Sequence, residues 1–198
     1  LKPFFFIKKF IYNLIQFYHL RKMINKKKNL KFIFVSNWMK CSIEEDLNIS
    51  FSKSQCSIIH NPVDSKFTGS SFKLDDNRSK INIIVVKNFN SYKYAGDLTI
   101  KFILKYSKNK FFDNFNFTIV GEGIILKKYK KKLSNFKNIK IINRFIKNKD
   151  LVNLYKKNDI FLYLTRLDAQ SVSVSEALSA GIVVVSSNVS AIPEFIKD

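Results

Sequence analysis

The sequence predicts an α/β chain whose larger part is a Rossmann-like, doubly wound parallel sheet, and two observations predict it. From residue 81 onward, short runs of continuous rather than alternating apolar residues recur at 81–86, 115–120, 139–142, 159–164 and 182–185. Helical patterns lie between them at 96–107, 124–134, 149–157 and 172–180. Strands that are apolar on both faces, separated by helices, make a parallel sheet covered on both sides. Such sheets take their ligands at the carboxyl ends of the strands.

The first 80 residues are less regular. Apolar and aromatic residues from Phe4 to Ile24 recur at gaps of three and four, which reads as one helix with a wide apolar face. Lys8, Lys9, Arg21 and Lys22 punctuate it. It fits a core-facing helix of a larger domain, with a membrane-surface helix as the alternative. Residues 31–35 form a short buried strand, and Ser36 is a good N-cap for a helix through Trp38 and Met39. Residues 56–59 are a further strand, ended by Asn61-Pro62, and 65–80 read as a polar linker. The expected division is 1–62, the end of a preceding domain with its link, and 63–198, a nucleotide-binding domain incomplete at its C-terminus. The first residue is Leu, and Ile196-Lys197-Asp198 fall inside a helical pattern, so both ends are expected to be cut from a longer protein.

At 198 residues, 46% hydrophobic and 25% charged, the chain has an ordinary globular composition. Its formal net charge of +20 favours anionic partners, although lysine rather than arginine carries it, and no specific nucleic-acid role is expected. Cys41 and Cys56 are expected to be small buried thiols in a reducing compartment. No run of about 20 uncharged apolar residues marks a membrane span.

Candidate chemistry collects at strand ends. Only five glycines are present, and Gly121 and Gly123 bracket Glu122 directly between a strand and a helix. Glycines there either bring backbone amides near a ligand or simply shape a turn. The third glycine of a dinucleotide fingerprint is missing. Asp168 lies in a strand-end loop and Glu176 eight residues later in the following helix. Ser171 and Val172 open that helix, where amides and the helix dipole would meet an anion. Lys87 ends a strand and Lys93 follows six residues later, a pair suited to clamping a diphosphate or, in so lysine-rich a chain, to decorating a surface.

The ordered series then continues through Ser186 to Glu194. Together with Phe34 to Lys40, Ile58 to Asp64, Lys87, Lys93, Gly121 to Gly123 and Asp168 to Glu176, it resembles the family-4 retaining glycosyltransferases (GT-B fold, glycosyl transferases group 1). The resemblance runs from about residue 31 to the end and is best over 150–198. It implies that Asp168 holds donor-sugar hydroxyls and Glu176 the ribose hydroxyls. It implies amides around Ser171 and Val172 facing sugar and phosphates, with Lys87 and Lys93 on the diphosphate. Departures are plain. The first acidic position is the shorter Asp168, Gly-aromatic-Gly is replaced by Ala169-Gln170-Ser171, and Lys87 replaces an arginine and its bidentate fork. Val189-Ser190 replaces glycines before Pro193-Glu194.

The resemblance implies transfer, with retention, of a sugar from a nucleotide-diphosphate sugar to a glycan or lipid-linked acceptor, in cell-surface glycan synthesis. Asp168 and Glu176 would be the functional carboxylates. No Asp-x-Asp motif is present, so no metal is expected and lysines would supply the charge. The chain is expected to be cytoplasmic, with the inner face of an anionic membrane as a peripheral contact. The alternatives are a GT-B sugar-nucleotide epimerase or phosphorylase, and a non-catalytic basic module for anionic membrane or nucleic acid. His60, beside the link, reads as structural.

Overall fold

The computed structural model describes residues 3–26, 29–68 and 79–196, with side chains from residue 11 onward. The chain divides into two compact units, Leu1–His60 and Asn61–Asp198.

The first unit comprises helix α1 (Pro3–Lys26), strand β1 (Phe32–Phe34), helix α2 (Asn37–Leu47) and strand β2 (Cys56–Ile58). β1 and β2 pair in parallel, Phe32 opposite Cys56. Ser36 caps α2 as its sequence predicts, its Oγ accepting from the Met39 amide at 3.1 Å. Asn48 ends α2 in the left-handed region, its N–H returning to the Glu44 and Glu45 carbonyls. A small core of Ile24, Phe34, Leu47 and Phe51 closes the unit. Among the described side chains of α1, Ile11, Tyr12, Leu14, Ile15, Phe17 and Tyr18 are exposed and Ile24 is buried. The cysteines depart from expectation: Cys41 is exposed on α2, outside the small core, and Cys56 on β2 packs against that core but is only half-buried.

The second unit is built on strands β3 (Ile81–Val86), β4 (Phe115–Val120), β5 (Ile139–Ile142), β6 (Ile160–Tyr163) and β7 (Val183–Ser186). All pair in parallel, in the order β5-β4-β3-β6-β7. The alternation along β3 shows why these runs are apolar throughout. Ile83 and Val85 enter one core, and Ile84 enters the other. Helices α3 (Gly96–Tyr106) and α4 (Ile124–Leu133) cover the first face through Ile100, Ile103, Ile125, Leu126 and Leu133. Helices α5 (Asn148–Lys156), α6 (Val172–Ser179) and the short α7 (Ile192–Phe195) cover the second through residues such as Tyr155, Val174 and Ile192. β3 is the switch point, with neighbours on either side whose helices lie on opposite faces.

Two expectations are corrected. Residues 65–67 are not free linker but a 3₁₀ turn capped by Asp64, whose carboxylate accepts from the Lys66 amide at 3.0 Å. That turn drives Phe67 fully into the second core, 5.9 Å from the Tyr155 ring. The remainder of the expected linker, 69–78, lies outside the described residues. At the other end the helix stops at Phe195, and Ile196 is extended, while 197 and 198 lie outside the described residues.

Candidate functional site

A cleft of 410 Å³ opens at the carboxyl ends of β3 and β4, beside the N-terminus of α6. Among the residues expected from sequence, it is lined by Lys87, Gly121, Val172 and Glu176. Asn88, Asn90, Glu122, Arg144, Phe145, Asn148 and Ser173 complete its polar and aromatic rim. Phe145 is 79% exposed, so an aromatic face stands open at the mouth.

Lys87 follows β3 and is buried at 8% exposure. Its Nζ donates to the carbonyls of Tyr94, at 2.9 Å, and Leu164, and lies 4.8 Å from the centroid of the Tyr163 ring. An ammonium has three N–H groups; two go to these carbonyls and the third has no carbonyl or carboxylate acceptor among the described residues, only the Tyr163 ring nearby. Burial pushes Lys87 down to about 7, against the pull of the Asp168 and Asp97 carboxylates.

Gly121 and Gly123 have φ of +130° and +149°, which side chains rarely adopt. A Cβ on Gly121 would lie 1.9 Å from the Lys87 carbonyl oxygen, and one on Gly123 2.2 Å from the Phe89 carbonyl carbon. What these glycines admit is the neighbouring chain. The Phe89 amide donates to the Glu122 carbonyl at 2.9 Å, and the Ile125 amide to the Phe89 carbonyl at 3.1 Å. The turn thus locks the loop after β3 to the loop after β4 and fixes where Lys87 stands. Gly121 also lines the cleft, whereas Gly123 does not.

Ser171 caps α6, its Oγ accepting from the Val174 amide at 3.3 Å, and is buried behind the cleft rather than lining it. Glu176 stands one turn into α6, buried at 9% exposure. Burial raises its carboxyl to about 7, and the Asp64 carboxylate adds to the rise.

Asp168 and Lys93, both implied by the resemblance to contact the donor, do not line the cleft. Asp168 is buried at 9% exposure: Oδ2 accepts from the Tyr163 hydroxyl at 2.5 Å and Oδ1 from the Gln170 amide at 3.2 Å. Burial and then the Asp168 charge raise Tyr163 well above the usual phenol range, which keeps it a neutral donor. Lys93 is exposed on a 3₁₀ turn, its Nζ 5.5 Å from the Tyr94 ring centroid, and does not line the cleft. Its turn is clamped from the other side. Arg166 makes a two-pronged pair with Asp97 at 2.7 and 2.9 Å, donates to the Tyr92 carbonyl, and its amide meets the Lys93 carbonyl. Arg166 also holds the Asp97 carboxyl below its ordinary range.

Sequence reasoning missed Tyr163, the Arg166–Asp97 clamp, and Gln170, whose side-chain amide brackets the backbone of Asn61 at 2.7 and 3.3 Å. It also missed Arg144 and Asn148, although both follow a strand end, the one signal that could have found them. His60 has the structural bond expected of it, Nδ1 to the Val35 carbonyl at 2.7 Å.

The family model described as "Glycosyl transferases group 1" matches residues 67–198. Over 146 residues the chain is 30% identical to one component of the human phosphatidylinositol N-acetylglucosaminyltransferase, covering 72% of this chain and 29% of that protein. Among solved structures it resembles WaaG, a glycosyltransferase involved in lipopolysaccharide biosynthesis, with a TM-score of 0.64 at 14% identity. That match covers 83% of this chain and 46% of WaaG. The apo form of WaaB, the lipopolysaccharide outer core galactosyltransferase, gives a TM-score of 0.62 at 19% identity, covering 85% of this chain and 46% of WaaB. The chain therefore spans under half the length of these relatives.

Proposed function

The chain belongs to the glycosyl transferases group 1, and from that premise we propose that it supplies the donor-nucleotide half of a retaining, family-4 glycosyltransferase. The observation that carries this reading is the meeting of Lys87, the Val172 end of α6 and Glu176 on one cleft at the sheet's switch point. Glu176 binds the ribose hydroxyls. The free N–H of Lys87 and the amide end of α6 receive the diphosphate. Asp168 lies in the loop just before the Val172 end of α6, outside the cleft wall; oriented by Tyr163, it holds with its remaining lone pairs the hydroxyls of a donor sugar that extends past the cleft.

Breaking the sugar–phosphate bond leaves negative charge on the departing phosphate oxygen while positive charge grows on the anomeric carbon. Lys87 and the α6 dipole are preorganised for the first of these charges, in a site whose burial strengthens them. The acceptor hydroxyl attacks from the face the phosphate leaves, its proton passing to the departing phosphate oxygen, and the anomeric configuration is retained. The acceptor is a glycan or lipid-linked sugar, the product a cell-surface glycan, and the site of action the cytoplasmic face of a membrane.

The test is product analysis with full-length protein and a panel of uridine and guanosine diphosphate sugars. Transfer with release of nucleoside diphosphate, and the donor's anomeric configuration in the product, support the reading. Interconversion of donor epimers without transfer would replace it with an epimerase.

A further inference from the structure

We propose that the outer face of α3 and α4 is a docking surface for an anionic lipid membrane. Both helices lie side by side on one face of the sheet, burying Ile100 and Ile103 on one and Ile125, Leu126 and Leu133 on the other. The residues that point away repeat one pattern. On α3, Leu98, Lys101, Phe102 and Lys105 are all exposed, and their spacing of i, i+3, i+4 and i+7 puts them on one stripe. On α4, Ile124, Lys127, Lys128 and Lys131 repeat that spacing, also exposed. The α3 stripe therefore alternates apolar side chains with ammonium groups, and the α4 stripe sets Ile124 ahead of three ammonium groups.

The surroundings extend the pattern. Lys108 and Lys110 follow α3 and are exposed, beside Phe111 at 51% exposure. Phe102 stacks on Tyr106 with centroids 6.0 Å apart, and these rings with Lys105, Lys108 and Asn109 line a shallow hollow. Lys130 and Lys132 flank the α4 stripe. Among the described residues of the two helices the sole carboxylate is Asp97, which is buried and taken by Arg166, with Lys101 at 4.0 Å. Asp113 and Glu122 lie outside the helices in adjoining loops. Lysine is densest on α4, with five against two on α3, two on α5 and none on α6.

The chemistry of the stripes selects the partner. Lysines alone would suit any polyanion, nucleic acid included. Phe102 and Phe111 would also stack on nucleic-acid bases, but the exposed aliphatic Leu98 and Ile124 have no use against phosphates or base faces. They have one at a bilayer surface, where apolar side chains enter the acyl boundary while lysines reach the anionic headgroups. Both helices begin just after the strand ends that form the cleft, so a membrane on this face lies near its mouth.

The experiment is vesicle co-sedimentation of full-length protein, using phosphatidylcholine vesicles with and without phosphatidylglycerol. Binding is expected with the anionic vesicles and is lost at high salt. The triple variant Lys127→Glu, Lys128→Glu, Lys131→Glu should reduce partitioning by at least about a hundredfold, given roughly fivefold per lysine. The milder Lys127→Gln, Lys128→Gln, Lys131→Gln should lose partitioning in proportion, and Phe102→Ser should weaken binding several-fold even at low salt. None of these residues lines the cleft, so nucleoside diphosphate affinity in the same variants should stay at the parent value. Binding unchanged in the triple variants, equal binding to neutral vesicles, preference for RNA over vesicles, or stripe variants that only dissociate a dimer would each overturn the proposal. A parent that fails to bind nucleotide yet binds anionic vesicles through the stripes would overturn the proposed catalytic reading and leave this surface standing.

Discussion

The Tyr163 hydroxyl donates to the Asp168 carboxylate at 2.5 Å in the interior of the domain, joining the last residue of β6 to the loop that follows it. The same ring lies beneath the Lys87 ammonium. Tyr163 therefore touches both charged groups that the proposed reaction uses from β3 and β6. Tyr163→Phe keeps the ring and removes one hydrogen bond to a charged group, an expected loss of about 1.5–3 kcal/mol in chemical denaturation. Turnover of the nucleotide sugar should fall while nucleoside diphosphate affinity holds, because the diphosphate lacks the sugar that Asp168 is proposed to hold. Equal loss of both would assign Tyr163 a purely structural role.

The turn at Gly121 and Gly123 should tolerate no side chain. Gly123→Ala sets a Cβ against the Phe89 carbonyl group at a φ of +149°. Strain of this kind costs about 1–3 kcal/mol before any clash. The thermal midpoint should drop clearly in Gly121→Ala and Gly123→Ala alike. A midpoint within a degree or so of the parent would contradict the packing described for this turn.

The strands were legible in sequence because each is apolar on both faces and flanked by helical periodicity, a signal that survives without knowledge of tertiary contacts. Loops carry no such periodicity. Lys87 and Lys93 look equivalent in sequence, yet one is drawn inside by two carbonyls and the other is left outside on a clamped turn. Asp97 and Arg166 are 69 residues apart, and only the pairing of β3 with β6 brings them together. Phe67 was lost in a polar stretch because a single aromatic has no period.

The clamp gives a further prediction. Arg166→Lys keeps the charge but not the two-pronged geometry with Asp97, so it should not substitute well. A loss of about 1.5–3 kcal/mol is expected from the charged hydrogen bonds, part of it screened because Arg166 is partly exposed. Protease cleavage within 91–97 should accelerate in Arg166→Lys and Asp97→Asn. Unchanged cleavage would show that the backbone bonds suffice to hold the turn.

Stability of the nucleotide-free protein should pass through a minimum near pH 7. Native Glu176 keeps its proton up to about 7, whereas its ordinary value is 4.5, so raising the pH between those values favours the unfolded chain. Native Lys87 releases its proton at about 7 against an ordinary 10.5, so raising the pH between those values favours the native state. Urea midpoints across this range should fall and then rise. Glu176→Gln should flatten the acid limb and Lys87→Met the alkaline limb. A midpoint that rises steadily from acid to neutral pH would contradict the buried, uncompensated placement of Glu176.

The central claim is that the cleft binds a nucleotide through Glu176, and titration calorimetry of full-length protein tests it most directly. Uridine and guanosine diphosphate should be titrated into the parent, Glu176→Ala and Asp168→Ala. The parent should bind one of them saturably. Glu176→Ala should weaken that binding roughly tenfold to over a hundredfold, the loss of about 1.5–3 kcal/mol expected for a charged hydrogen-bonding partner. Asp168→Ala should leave it near the parent value. Equal and negligible losses in both variants, or no saturable binding in the parent, would contradict the assignment of this cleft.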